Sequence, residues 1–421
     1  MDREYLDKMW EMGKIITSKS EVKVKIMLGE EDFSQVSGKP ENFRDLFLSR
    51  YSKIKRILTG KVSISNVMDI DFIKKRDNET GTIVAMVREK LPTRYDYQIL
   101  AEDPSGDIIV RLNSEMYDEI LMDDIIAIKG KTRNGKFVAE DISYPGIDNI
   151  QKQEKIVKSE NSIVFLSDIH VGSKNFLSSS FENFIEWINS GKENARKVKY
   201  MIVSGDLVDG IGIYPGQEKD LEIDDVYQQY EKLSEYICKI RNDVDIFMIP
   251  GNHDLTRILE PQNKPPKPVI DMFPENVKFL TNPAYLSIED LRILVYHGAS
   301  LNDVADMVRG MKYEYTDRLM IELIKRRHLA PFYGRNVPIA PLKNDVMVIE
   351  EIPDLFITGH IHLFKASLYR GILLLNASAW QKQTDYQKMM NLNPMPGYVA
   401  IKKLSSPGFE TKNFTPGPLS P

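Results

Sequence analysis

Apolar residues change their spacing along the chain, and each change marks a different kind of element. Residues 1–40 mix a short helical pattern with polar turns. Over residues 42–58, Phe43, Leu46, Phe47, Tyr51, Ile54 and Leu58 recur at helical spacing, which predicts a helix with one packed face. Arg50, Lys53, Lys55 and Arg56 interleave with that face and read as its solvated side. From Gly60 to Pro145 the pattern becomes short β-runs: TGTIVAMV, YDYQILAED, DIIVRLN, DIIAIKGKT and KFVAEDISY, with PSG and RNG as turn signals. Strands so short and so closely spaced predict a small barrel. The polar, lysine-rich residues 146–161 read as a connector. Beyond them, apolar runs IVFL, MIV, IFMI, ILVY, LFI and ILLL each enter a polar loop, with helical patterns such as FENFIEWI and VYQQYEKLSEYICKI between them. That alternation predicts an α/β sandwich flanked by helices, with its active loops at strand ends. The expected divisions are a helical segment at 1–59, the barrel at 60–145, the linker at 146–161, the α/β domain at 162–405 and a tail at 406–421.

Composition narrows the functional classes. A chain of 421 residues is long enough for two or three domains with their own cores. No apolar run is long enough to span a bilayer, and the N-terminus shows no secretory pattern, so a cytoplasmic protein without membrane contact is expected. The single cysteine, Cys238, fits a reducing compartment and reads as a small core residue. A net charge of −5 argues against a free-standing DNA-coating protein. Nucleic acid would then be met through a local patch, through metals or beside a more basic partner. The barrel suits an OB-fold, a type that often binds single strands on aromatic platforms. Its aromatic candidates are few (Tyr95, Tyr97 and Phe137), and a barrel that only packs against its neighbours is an equal alternative.

Five of the six histidines fall in segments that share one design, an apolar strand followed at once by metal-ligating side chains. These are FLSDIH, VSGDLVDG, IPGNHD, VYHG and ITGHIH. Asp168 and His170 sit two apart, so from an extended turn they can reach the same ion, and His360 and His362 again sit two apart after Gly359. Asp206 follows Gly205, whose small size lets the backbone approach the site; Asn252 and His253 follow Gly251, and His297 ends its own strand. Mixed nitrogen and oxygen donors suit manganese, iron, cobalt or zinc, and lack the cysteine a structural zinc site would favour. Two divalent ions bridged by a carboxylate form a phosphodiester-cleaving device. Singly, each fragment is an ordinary turn or a capped histidine; in this order and setting they are not.

The series D-x-H, G-D, G-N-H-D, H-G and G-H-x-H resembles the calcineurin-like metallophosphoesterase superfamily. The resemblance implies Asp168, His170 and His362 at a first metal, Asp206 as the bridge, and Asn252, His297 and His360 at a second. It implies His253 as a proton donor or transition-state stabiliser near the leaving oxygen, and Asp209 as the carboxylate that orients His253. A turn-capping Asp209 is the plain alternative. Beyond these motifs, RYSKIKRIL, FLSDIHVGSKNF, TNPAYLSIEDLRILVYHGASLNDV, IKRRHLAPFYGRNVPIAPL and LNASAWQKQTDYQKMMNLNPMPG resemble the small, exonuclease subunit of archaeal family-D DNA polymerases, over about residues 43–403. That resemblance implies a two-metal 3′→5′ exonuclease, with manganese the first candidate ion, that proofreads DNA 3′ ends beside a large catalytic subunit. It implies an OB domain packed on the phosphoesterase domain. Relatives that have lost ligands serve as structural subunits, and a small-substrate phosphoesterase is the enzymatic rival. Every ligand position is filled here.

The basic segment ending in His328, followed by PFYGR, suggests DNA contacts through Arg327, Arg335, Phe332 and Tyr333, or else a solvated helix end beside a core aromatic. Trp380, with Asn376, belongs either to the site wall or to the core, and MMNLNPMP is a candidate for the partner surface. TPGPLSP carries no sliding-clamp motif, so any clamp contact would be indirect.

Overall fold

The computed structural model describes residues 15–17, 22–25, 38–92, 96–147, 153–389 and 391–415. Two short strands, β1 (Ile15–Thr17) and β2 (Val22–Lys25), stand where the sequence suggests only helix and turn. The helix Pro40–Thr59 begins with a proline at its first position, where no intrahelical N–H is needed, and Asn42 accepts the Lys39 N–H. It buries Leu46, Tyr51, Ile54 and Leu58, as the spacing predicts, leaves Phe43 and Phe47 partly buried, and also buries Ile57 and Arg50. The expected solvated face is therefore corrected at that position. Arg50 Nε donates to Asp345 Oδ2 at 2.7 Å, and a buried guanidinium is tolerated because that carboxylate pairs with it.

The barrel is built from β3 (Thr80–Pro92), β4 (Tyr97–Asp103), β5 (Gly106–Leu112), β6 (Ile125–Arg133) and β7 (Lys136–Ser143). It closes in the order β3-β4-β5-β7-β6, with a parallel β5–β7 pair and β6 returning to β3. Ile83, Ile99, Val110, Ile126 and Phe137 fill its interior. Phe137 is thus core, not an outer platform for bases. Tyr97 is exposed and packs on Tyr117, and Tyr95 lies outside the described residues.

The α/β part then runs through β8 (Ser162–Leu166), β9 (Val198–Ser204), β10 (Asp245–Ile249), β11 (Val277–Phe279), β12 (Ala284–Ile288), β13 (Leu291–Val295), β14 (Leu355–Thr358), β15 (Lys365–Tyr369), β16 (Ile372–Asn376), β17 (Tyr398–Lys403) and β18 (Glu410–Asn413). One sheet has the order β11-β10-β9-β8-β17-β18, the other β1-β2-β12-β13-β14-β16-β15. Phe165, Ile202, Phe247, Ile293, Ile357 and Leu375 interleave between the sheets. The alternate residues Val164, Met201, Val203 and Met248 face the helices Ser178–Asn189 and Val226–Ile237. Leu294, Phe356 and Leu374 do the same for the helices Leu301–Met307 and Thr316–Arg326. Strands covered on both faces need apolar residues at every position, which is why their sequences read as unbroken runs. Each such side chain contributes about 1.5–3 kcal/mol on full burial.

Two further expectations are corrected. Part of the supposed tail is strand β18, paired with β17, and Phe414 behind it is buried against Trp380. Cys238 is exposed: it caps the C-terminal end of the helix Val226–Ile237, past the buried face formed by Tyr230, Leu233 and Ile237.

The barrel and the sandwich are joined by the segment the sequence offered as a DNA contact. Arg326 Nε donates to Asp124 Oδ1 at 2.7 Å, and Lys325 pairs with Glu119. Arg327 Nη1 donates to the Ile349 carbonyl at 2.8 Å and its Nε to that of Gly146 at 3.3 Å. His328 Nε2 lies 3.0 Å from Asp345 Oδ2, so one buried carboxylate serves both Arg50 and His328.

Candidate metal centre

Parallel strands β8, β9 and β10 in one sheet, and β13 and β14 in the other, end at the same edge. Their loops supply every predicted donor. Asp168, His170, Asp206, His360 and His362 all adopt left-handed backbone, with φ of 51°, 53°, 49°, 71° and 59°. That conformation costs a non-glycine residue about 1–3 kcal/mol and persists only where neighbours enforce it. They do so here. The Asp168 N–H donates to the Gly205 carbonyl, the His170 N–H to that of Asp206, and the His360 N–H to Asp168 Oδ2. Gly205 and Gly359 permit this closeness: a Cβ on Gly205 would collide with the His297 ring, and one on Gly359 with Ser167 and the Asp168 carboxylate.

Asp168, His170 and His362 form one group of donors, and Asp206, His297 and His360 a second. In the first, His170 Nε2 and His362 Nε2 are 3.1 Å apart and His362 Nε2 is 3.2 Å from Asp168 Oδ1. In the second, His297 Nε2 is 3.3 Å from Asp206 Oδ2, 3.3 Å from His360 Nδ1 and 3.0 Å from Asn252 Oδ1. Asp206 Oδ2 also lies 3.7 Å from His170 Nε2, so one carboxylate oxygen faces both groups. Ligands bound at about 2.1 Å to a single ion stand about 3.0–3.4 Å apart, so these separations fit a divalent cation in each group. The donors are borderline nitrogen and hard oxygen, which suits such ions equally well.

The electrostatics agree. Burial alone would raise the Asp206 carboxyl, but His297 and His253 hold it well below the usual carboxylate range. Burial opposes charge on His297, yet Asp206 and Asp168 push that imidazole up to about 10. Burial and the neighbouring His297 push His360 down to about 3. The cluster therefore keeps two carboxylates ionised in a buried place, a site for positive charge.

His253 stands at the opening, beside the donors. Its Nδ1 donates to the Asp209 backbone carbonyl at 2.7 Å, leaving Nε2 turned to the site, 4.0 Å from Asp206 Oδ2. Asp209 contacts two histidines by different atoms. Its carboxylate meets His170 Nδ1 at 3.0 Å, and only its carbonyl holds His253. The expectation that the Asp209 carboxylate orients His253 is corrected: Gln381 and Gln217 hold that carboxylate toward His170, at 3.0 Å and 3.4 Å.

Several contributors lie outside the motif reading. Asp254 accepts the N–H groups of Gly251 and Leu207 and the Tyr230 hydroxyl, tying the β9 and β10 loops together. Burial and Asp206 push its carboxyl up to about 6. Asn302 meets His360 Nε2 at 2.9 Å, and Gln387 meets His362 Nδ1 at 2.8 Å. Trp380 is core, its ring packed on Phe181 and Phe184, while its backbone N–H donates to the Asp168 carbonyl. Asn376 is buried and donates to the Leu363 carbonyl. Of the suggested DNA contacts, Arg327 and Phe332 are buried at the barrel junction, which removes them from that role. Tyr333 and Arg335 remain on the surface.

Residues 163–365 match the DNA polymerase alpha/epsilon B-subunit family. A DNA polymerase II small subunit of Archaeoglobus fulgidus is 40% identical over 377 residues, 87% of this chain and 76% of that protein. One of Thermoplasma acidophilum is 40% identical over 387 residues, 89% of this chain and 78% of that protein. A solved structure described as a novel archaeal phosphodiesterase is 13% identical and covers 60% of this chain and 99% of its own, with a TM-score of 0.30.

Proposed function

This chain belongs to the family of DNA polymerase II small subunits, and on that premise we propose that it is the proofreading 3′→5′ exonuclease of such a polymerase. One observation carries the reading: the donors Asp168, His170 and His362 stand beside Asp206, His297 and His360, with Asp206 Oδ2 3.3 Å from His297 Nε2 and 3.7 Å from His170 Nε2. A further group, His170, Asp209 and His253, reaches toward the opening. Asp168, His170 and His362 would hold one divalent ion and Asn252, His297 and His360 the other, with Asp206 common to both. Manganese is the first choice, with iron, cobalt or zinc as alternatives. When bound, such ions lower the pKa of water and neutralise charge on a phosphodiester.

The chain's own residues do the rest. The Asp209 carbonyl fixes the tautomer of His253, so its Nε2 is the atom that can carry a proton to the leaving oxygen or steady charge there. The Asp209 carboxylate positions His170, a task distinct from chemistry. The donors stand on buried, over-determined backbone, which holds the phosphate's surroundings rigid. Partners would be the large catalytic subunit and single-stranded or mismatched 3′ DNA ends, in the cytoplasm, with any sliding-clamp contact indirect. The filled ligand set favours activity over a vestigial site.

The test is digestion of a 5′-labelled duplex with a mismatched 3′ end by the chain alone and with its large subunit, in Mn²⁺. Shortening one nucleotide at a time from the 3′ end is expected. Internal cuts, or hydrolysis of small esters alone, would contradict the reading.

A further inference from the structure

The outward side of β6 changes character halfway along the strand. Its inward residues Ile126 and Ile128 belong to the barrel core. Of its outward residues, Ile125 and Ala127 are buried against Tyr51, Ile54 and Leu58 of the helix Pro40–Thr59. The next three, Lys129, Lys131 and Arg133, are exposed. Among the described residues, none of these three side chains makes a hydrogen bond or an ion pair. Cations elsewhere on the barrel are neutralised: Arg111 pairs with Asp96, Arg88 with Glu102 and Lys74 with Asp107. Like charges side by side on one strand repel, so the row on β6 gives the fold nothing.

The pairing register shows what shares that face. Thr82 and Asp141 flank Lys129, Thr80 and Val138 flank Lys131, and Lys136 stands across from Arg133. The face thus carries four cations and one acid, and none of its side chains is aromatic. Glu140, in the bulge beside Lys129, and Asp77, which accepts the Asn134 N–H at the hairpin tip, lie at its margins. At the Lys129 end the face opens into a cavity of about 100 Å³, lined by Ser63, Ser65, Thr82 and Ser143 beside Lys129 and Asp141.

Alternate residues of a strand stand about 6.6–6.8 Å apart, close to the separation of successive phosphates along one DNA strand. Unpaired cations at that repeat, with serine and threonine at one end, match a phosphodiester backbone. Single strands are held by joining such cations to aromatic platforms for the bases, and this face has none. Duplex DNA keeps its bases inside and presents a denser array of phosphates. We infer that the outward face of β6 binds the phosphate backbone of duplex DNA through Lys129, Lys131 and Arg133. Such contacts hold a duplex in position without reading its sequence. They also supply the local basic patch through which a chain of net charge −5 can meet nucleic acid. The face lies on the barrel, and it binds whether or not the metal centre cuts.

The test is binding, read apart from cleavage. Fluorescence anisotropy with a short fluorescein-labelled blunt duplex, in EDTA, measures affinity across about 50–200 mM salt. Each phosphate contact contributes about 0.9 to the slope of log affinity against log salt. K129Q/K131Q/R133Q is expected to bind at least about tenfold more weakly at the low end, with a slope smaller by about two to three. K131Q alone should lower the slope by about one. K192Q/K239Q/K412Q removes the same charge from exposed positions of the sandwich and should bind as wild type does. No duplex binding by wild type, unchanged affinity and slope in K129Q/K131Q/R133Q, or an equal loss in K192Q/K239Q/K412Q would overturn the proposal. So would tighter binding of a single strand of the same length, or equal competition by inorganic phosphate at matched phosphate concentration. Loss of large-subunit capture by K129Q/K131Q/R133Q with duplex binding intact would make the face a subunit contact instead.

Discussion

Asp206 is the residue on which the centre turns. Oδ1 accepts the His253 N–H at 2.9 Å, and Oδ2 faces His297 and His170. Asp206→Ala should therefore lose both ions, whereas His253→Ala should keep both and lose cleavage, with metal content measured on Mn²⁺-loaded protein by mass spectrometry. Substantial metal loss in His253→Ala would make that histidine a ligand instead. Gly359→Ala tests the strained turn. The Gly359 N–H donates to the His297 carbonyl and the His360 N–H to Asp168, so the backbone has little room to retreat from the collision. A cost of about 1–3 kcal/mol in denaturant unfolding is expected, together with weaker metal binding. A fully stable, metal-replete variant would contradict it. At this scale the donors were legible because each motif is contiguous and ends a strand. Gln217, Gln381, Gln387 and Asn302 were not, because a lone glutamine or asparagine carries no pattern, and Gln381 and Asn302 are also distant in sequence from their partners. Asp209 was legible as a site residue, but which of its atoms met which histidine depended on a fold that sequence does not display.

Among the elements, the helix Pro40–Thr59 and the segment after Arg326 meet through one buried carboxylate. Arg50 and His328 both hold Asp345, and the His328 Nδ1 accepts the Ala330 N–H. Protonating that nitrogen would set two donors face to face. Burial, with the Arg50 charge, accordingly pushes His328 down to about 4 from its ordinary 6.5. An unfolded chain takes up this proton below pH 6.5 while the folded one refuses it until about pH 4. The stability from neutral His328 is thus full above pH 6.5 and is lost as pH falls toward 4, by roughly 3 kcal/mol at most. Comparing wild type with His328→Gln by urea unfolding across that range should show a flatter acid limb in the variant. Parallel limbs would contradict the assignment. The helix itself was plain from its periodicity, but periodicity could not show that Arg50 faces inward, because charge alone does not reveal whether a buried partner waits nearly three hundred residues away.

Over the whole molecule, the barrel and sandwich are coupled by buried charge at Arg326, Asp124 and Glu322 as well as by apolar packing. Removing Asp124 leaves the buried Arg326 guanidinium with Glu322 alone, at a cost of up to about 3–5 kcal/mol. Asp124→Ala should therefore split thermal unfolding into two calorimetric transitions, the barrel melting first. A single transition would show that apolar contacts alone carry the coupling. The two-part architecture was legible from the change in apolar spacing near residue 146, since barrel strands and doubly covered strands differ in pattern. The junction was not. Arg327 was misread because an arginine looks the same in sequence whether it meets phosphate or buried backbone carbonyls, and Phe332 because an aromatic looks the same whether it is exposed or core. The strands β1, β2 and β18 were missed because strands of three or four residues are too short to show a period.

Whether this centre cuts DNA through His253 is the most direct test of its function. End-labelled single-stranded DNA incubated in Mn²⁺ with wild type and with His253→Ala, each at measured metal occupancy, answers that. Stepwise 3′ shortening by wild type, and at least roughly a hundredfold slower shortening by a metal-replete His253→Ala, is the predicted result. Equal rates in the two proteins, or no cleavage by wild type even with its large subunit present, would contradict it.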